Sequence, residues 1–158
     1  GSMYIFGSHL VDLIVSILGE PENVHSFLKQ TGFENVYSDD NNFAVLEYDK
    51  AIAKITTLSV EVNGWGMRRF AVMGSKGTVE IKPIELNVKM TKSTADIAKN
   101  AYEDIHEAVD VLDVPTFSRY DAMLKDLYLS AIGEKKNPYS YEHELSVQRT
   151  LYKITGEN

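Results

Sequence analysis

No cysteine occurs among the 158 residues, which removes disulfides, thiolate chemistry and cysteine-ligated zinc together. A basic excess is lacking too. Sixteen Lys and Arg stand against 23 Asp and Glu, a formal net charge of −7, and the cations pair up only at Arg68-Arg69 and Lys135-Lys136. That balance argues against a nucleic-acid groove. The apolar run Leu10 to Leu18 falls far short of the ~20 residues that span a bilayer. No basic segment precedes it, so neither a membrane span nor a signal peptide is expected, and a cytoplasmic origin is the default. A nucleotide-binding fingerprint is also missing. Gly64-x-Gly66-x-x-Arg69 lacks the third glycine and falls between expected strands. No nucleophile-elbow glycines flank any serine, which argues against a hydrolase triad. Glu103-x-x-His106 is a single copy of a motif that di-iron bundles use twice, so no metal is expected.

What remains is an ordinary globular composition, 44% hydrophobic and 25% charged. The length predicts one domain over 3–158, large enough for a real core, with Gly1-Ser2 resembling a cloning scar. Phe6 to Pro21 predicts a short, almost wholly buried helix. Ser8 is the expected N-cap, Gly19 suits the left-handed residue that follows, and Pro21 forbids continuation. Its polar exceptions, His9, Asp12 and Ser16, fall along one face by their spacing of three and four. Buried polar groups need partners, so these either are satisfied internally or line a pocket.

Alternation predicts strands over Asn23–Lys29, Phe43–Tyr48 and Ala51–Glu61, the last two joined by a hairpin at Asp49-Lys50. Further strands are expected over Arg68–Met73, Thr78–Lys82, Leu86–Thr91 and Val109–Val114. Val62–Met67 reads as loop, and Lys92–Asn100 as loop or weak helix. Ser118 is placed to cap a helix running to Gly133, with Tyr120, Met123, Leu124, Leu127, Ala131 and Ile132 as its apolar face. Ser140 is placed to cap another, with Leu145, Val147, Leu151 and Ile154 inward. The predicted class is α+β, an open, mostly antiparallel sheet with helices on one face. Trp65 with Arg68 and Arg69 offers an aromatic platform and cations for a substrate such as a sugar or carboxylate. Neighbouring strand residues point to opposite faces, so at most one of these arginines could meet a given ligand.

Gly7-Ser8-His9-Leu10-Val11-Asp12-Leu13, with Leu18-Gly19-Glu20-Pro21-Glu22-Asn23-Val24 after it, resembles the opening of a known domain. That domain is the C-terminal half of the Gfo/Idh/MocA oxidoreductases, the family of glucose–fructose oxidoreductase and inositol dehydrogenase. Met73-Gly74-Ser75-Lys76-Gly77-Thr78-Val79 is similar to the family's strand–glycine–strand hairpin. Ser118 to Gly133 and Asn137-Pro138-Tyr139-Ser140-Tyr141-Glu142-His143-Glu144-Leu145 are similar to its closing helices. The resemblance implies that His9 is catalytic, helping to remove a substrate hydroxyl proton while hydride leaves to a nicotinamide. Imidazole suits that task because its pKa lies near the operating pH. Asp12, one turn on, could orient His9 or meet substrate; the alternative is a helix residue that caps a neighbouring loop or meets an arginine. The family's motif here runs Asp-x-Gly-x-His-x-x-Asp, and this chain departs from it at one point: Ile5 occupies the first aspartate position, four residues before the histidine.

The family's cofactor domain is N-terminal, and this chain carries none of it. The resemblance therefore implies a substrate-binding and oligomerisation domain, inactive alone, of an NAD(P)-dependent oxidoreductase acting on a sugar or polyol derivative. NAD or NADP would belong to the complete enzyme and none to this chain. A homo-oligomer through the open sheet face is expected, with no nucleic-acid or membrane partner. The competing expectations are a non-catalytic ligand-binding domain, favoured by Ile5, and a pure assembly element.

Overall fold

The computed structural model describes residues 1–33, 37–85, 87–94 and 120–156, and the backbone of 108–111. Their contacts divide the chain into two compact units, Gly1–Glu61 with Met123–Asn158, and Val62–Ala122.

In the first unit, α1 (Ser2–Ile5) and α2 (Gly7–Leu18) precede β1 (Asn23–Lys29), β2 (Asn41–Tyr48) and β3 (Ala51–Leu58); α5 (Tyr141–Thr155) closes it. The strands form an antiparallel sheet in the order β1-β2-β3. Its register places Phe27, Phe43 and Thr56 in one row and Tyr48 opposite Ala51 across the Asp49-Lys50 turn. Side chains alternate across the pleat, so Ala44, Leu46, Ile55 and Thr57 turn inward while Ile52, Lys54 and Thr56 face out. α1, α2 and α5 all pack onto strands of this sheet. Their core joins Val11, Ile14 and Val15 of α2 to Leu46 of β2, Ile55 of β3 and Leu151 and Ile154 of α5. Ser2, Asn42 and Thr57 are buried with it. The Asn42 amide lies 2.7 Å from Ser2 Oγ and 3.3 Å from Thr57 Oγ1, so the three polar groups satisfy one another.

Several expectations change here. Ser8 is not the N-cap: α2 begins at Gly7 behind Phe6, and the Ser8 hydroxyl donates to Ile5 O at 3.0 Å. The reason is α1, which brings the chain into α2 already turning. Nor is α2 wholly buried, because Leu13, Ile17 and Leu18 are exposed. A helix resting on a sheet can bury only one side. Its C-terminus does end as expected, with Gly19 at φ 78° and its N–H bonded to Val15 O. The strand beginning Ala51 stops at Leu58 rather than Glu61. In α5, Ser140 caps as expected by accepting from the His143 N–H, and Gly156 closes the helix at φ 71°. Leu151 and Ile154 are buried, but Leu145 is exposed. The helix α4 (Asp121–Ala131) buries none of its residues. Its Met123, Leu124 and Leu127 are exposed, as are Tyr120 and Ile132 beside it. Ser118 lies outside the described residues.

The second unit holds a helical turn, α3 (Gly64–Met67), and the strands β4 (Phe70–Gly74), β5 (Gly77–Ile81), β6 (Lys89–Thr94) and β7 (Ala108–Val111). The strands pair antiparallel as a second sheet, β4-β5-β6-β7. The α+β class and antiparallel pairing are as predicted, but the seven strands among the described residues form two sheets where one sheet was expected. Gly74 pairs with Gly77 across the Ser75-Lys76 turn, in line with the hairpin that the resemblance of Met73–Val79 implies. β6 starts three residues later than the alternation from Leu86 suggests, because Asn87 takes a left-handed φ of 60°, which an extended strand cannot contain. Val62–Met67, expected as loop, contains α3. Leu86, the Lys92–Asn100 segment beyond Thr94, and Val109–Val114 beyond Val111 lie outside the described residues. No helix among the described residues is long and apolar enough to cross a membrane.

Candidate functional site

Helical spacing decides the site's first half. Ser8, His9 and Asp12 emerge from the start of α2 on a side turned away from the sheet. The second half comes from the N-terminus of α5, where the Ser140 cap fixes the first turn and presents Glu144, with Val147 one turn on. Tyr139 sits just before the cap. Together Ser8, His9, Asp12, Tyr139, Glu144 and Val147 line a concavity of about 250 Å³.

At its edge an imidazole and a carboxylate meet across 131 residues of sequence: His143 Nε2–H donates to Asp12 Oδ1 at 2.6 Å. His143 is mostly buried and Asp12 keeps 46% of its side chain exposed. The Tyr139 ring lies 6.2 Å from the His143 ring. Asp12 thus meets a histidine, but it is His143 and not His9. The His9 side chain is exposed at the pocket wall. Ile5 is exposed as well and borders a different concavity, with Phe6, Phe33 and Asp40.

A second set of ions ties α5 to the turn after α2. Glu20 accepts from Arg149 Nε at 3.1 Å and from Lys153 Nζ at 2.9 Å, and Arg149 reaches on to Glu142 at 2.8 Å. The Lys153 hydrogen bond is the main reason that the Glu20 carboxyl is held below its ordinary value of 4.5, against an opposing effect of burial. Asp40 is likewise held below 3.8, chiefly by the Thr31 hydroxyl and then by the Thr31 N–H, at 2.6 and 2.8 Å. Both carboxylates are depressed in the folded state. Their contribution to stability is therefore complete above the ordinary carboxylate values and is lost as pH falls through the lowered ones. Thermal melts across an acid series should show a plateau from neutral pH down to about pH 5 and a decline below it. The Asp40→Asn variant should decline less steeply; an unchanged acid limb would remove Asp40 from the account.

In the second unit, the Arg68 guanidinium sits 4.1 Å over the Trp65 ring. It also donates to Glu85 at 3.1 Å, and Arg69 lies 3.6 Å from Glu80. Trp65 and Arg68 therefore do come together, but each arginine already has a carboxylate. The Gly64–Arg69 stretch runs through α3 toward β4, not from a strand into a helix, so these residues do not fit a dinucleotide pyrophosphate. Glu103 and His106 lie outside the described residues.

Sequence reasoning singled out His9 and Asp12 but not Tyr139, His143, Glu144 or Val147. A signal was present: a histidine three residues after an N-capping serine must sit in the first turn of a helix. Nothing local says which helix that turn faces.

Residues 1–80 match the GFO/IDH/MocA C-terminal domain, and the chain belongs to this family. No curated protein sequence matches it. Among solved structures it is similar to yvaA of Bacillus subtilis, assigned as an oxidoreductase, at 16% identity and a TM-score of 0.71, covering 99% of this chain and 48% of that one. A protein of Desulfitobacterium hafniense assigned as an NADPH-dependent oxidoreductase aligns at 14% identity and a TM-score of 0.72, over 99% of this chain and 45% of that one. An oxidoreductase assignment from Klebsiella pneumoniae aligns at 16% and 0.70, over 99% and 47%. These likenesses establish the fold. The chain spans about half the length of the solved structures it matches.

Proposed function

We propose that this chain is the substrate-binding and oligomerisation domain of an NAD(P)-dependent oxidoreductase acting on a sugar or polyol derivative. The observation that carries this is the concavity holding His9 and Asp12 in a member of the family. A small polar cavity with an aromatic wall, two carboxylates and an exposed imidazole suits an uncharged, polyhydroxylated ligand. In this reading His9 accepts the proton of a substrate hydroxyl. The nicotinamide cofactor would be held by residues outside this chain, and the NADPH assignment of the Desulfitobacterium relative supports that kind of cofactor without choosing NADP over NAD. Trp65, Arg68 and Arg69 stay as proposed substrate contacts, with their glutamate pairs as competitors for any anionic ligand. Ile5 favours the second reading, a ligand-binding domain without chemistry.

One experiment separates the two. The full-length gene product is expected to reduce NAD or NADP, followed by nicotinamide absorbance, with at least one member of a panel of sugars and polyols. Binding of a panel member without any turnover would favour the non-catalytic reading.

Assembly belongs to the same proposal. The outer face of the first sheet carries Phe27 and Phe43, stacked with ring centroids 6.3 Å apart, and exposed Ile52 and Leu58. Soluble monomers seldom leave such apolar patches larger than a few hundred Å². Pairing of this face around a two-fold axis would bury on the order of 1,600 Å² or more, as specific interfaces do. Light scattering at micromolar concentration should therefore report a dimer or larger. An Ile52→Lys, Phe27→Lys variant should return a monomer, and a monomeric parent would overturn the assembly claim.

A further inference from the structure

We propose that His143 is a positioning residue: it holds the Asp12 carboxylate in place at the pocket as an acceptor for a ligand hydroxyl. The inference rests on the reading of this concavity as the substrate site, and it gives a site role to a histidine that the sequence placed only in a closing helix.

The geometry runs from the two helices inward. Asp12 leaves α2 one turn after His9 and lines the cavity. One of its oxygens, Oδ1, is taken by His143 Nε2 at 2.6 Å, a short charge-assisted contact. His143 itself does not wall the cavity. It stands behind Asp12, mostly buried, in the first turn of α5. That turn is held rigid by the Ser140 cap and farther along by the Arg149 and Lys153 contacts to Glu20. An ionised carboxylate has about four lone-pair sites, and the imidazole occupies one of them. The half-exposed remainder of Asp12 is left toward the cavity, where a hydroxyl can donate to it. Without His143, the carboxylate would be free to rotate about its side-chain bonds into water. Fixing it beforehand removes that ordering cost from ligand binding.

The charge around the pair agrees with this role. The other charged or titratable groups that line the concavity are His9 from α2, and Tyr139 and Glu144 from the α5 side. No lysine or arginine lines it among the described residues. A carboxylate held without a fixed cation suits a neutral hydroxyl better than it suits an anionic ligand.

The test uses the 158-residue chain, with myo-inositol and glucose as uncharged ring probes, followed by ligand-observed NMR titration. His143→Gln places an amide N–H near the position of the imidazole Nε2–H, whereas His143→Phe keeps the ring volume and removes the donor. The parent should bind at least one probe. His143→Phe should weaken that binding by about tenfold or more, the scale of losing a hydrogen bond to a charged group, while His143→Gln stays within about threefold. Melting temperature is measured alongside. Loss of binding in His143→Phe with an unchanged melting temperature supports positioning, because a purely structural role would move the melting temperature first. Should His143→Phe fold poorly, Asp12→Asn serves instead: a similar loss of affinity is expected, and unchanged affinity overturns the proposal. Equal binding by the parent and His143→Phe overturns the role of His143 while leaving the pocket reading intact. If the parent binds neither probe, the pocket reading falls and the proposal falls with it.

Discussion

Under the proposed role, replacing His9 by alanine in the full-length gene product is expected to lower turnover by about 10²- to 10⁴-fold, the usual contribution of a general acid or base. Stability should hardly change. The imidazole is exposed at the pocket wall, and among the described residues nothing hydrogen-bonds to its ring. Surface substitutions of this kind usually stay within about 0.5 kcal/mol. Steady-state rates and thermal melts on the same preparation decide the matter. Full activity with a large drop in melting temperature would make His9 a structural residue and overturn its proton-accepting role. The Asp12→Asn variant belongs in the same series, since loss of rate there with retained substrate affinity would move the proton-accepting role from His9 to the neighbouring carboxylate.

The largest effect on folding is expected from Ile154→Ala. Ile154 is fully buried where α5 meets α2 and the sheet. Truncation removes its transfer free energy and leaves a cavity, together about 2–5 kcal/mol. Against a total stability of roughly 5–15 kcal/mol this is a large fraction, and the midpoint of thermal unfolding should fall by about 5 °C or more. The informative control is Leu127→Ala in α4. Both residues were assigned to apolar helix faces by their sequence spacing, yet Leu127 is 64% exposed. Its truncation in a monomeric preparation should shift the midpoint by no more than about 2 °C, as exposed positions do. Comparable losses at both sites would mean that α4 has a covering not seen among the described residues.

The contrast between Ile154 and Leu127 shows where sequence reading ran out. Periodicity correctly identified both stretches as helices with an apolar stripe. It could not say that one stripe has a sheet beneath it, because hydrophobic attraction is non-directional and names no partner. In α2 the difficulty was of the same kind. Leu10 to Leu18 is apolar nearly all round, so composition predicted burial on every side, while packing on one sheet buries only Val11, Ile14 and Val15 with Gly7. At the site, the first-turn position of His143 was legible from Ser140. Its hydrogen bond to Asp12 was not, since the two lie 131 residues apart.

The sequence by itself determined the α+β class, the bounds of β1, the Asp49-Lys50 and Ser75-Lys76 turns, the C-terminal end of α2 and both ends of α5. Each of these depends on interactions within a few residues: a capping hydroxyl, a left-handed glycine, the alternation of a pleat. Tertiary structure alone decided that the strands divide into two sheets, which side of each helix is covered, and that Asp12 meets His143 while His9 stays open to the cavity. Those outcomes depend on where one element crosses another, and no pattern local to either element contains that angle.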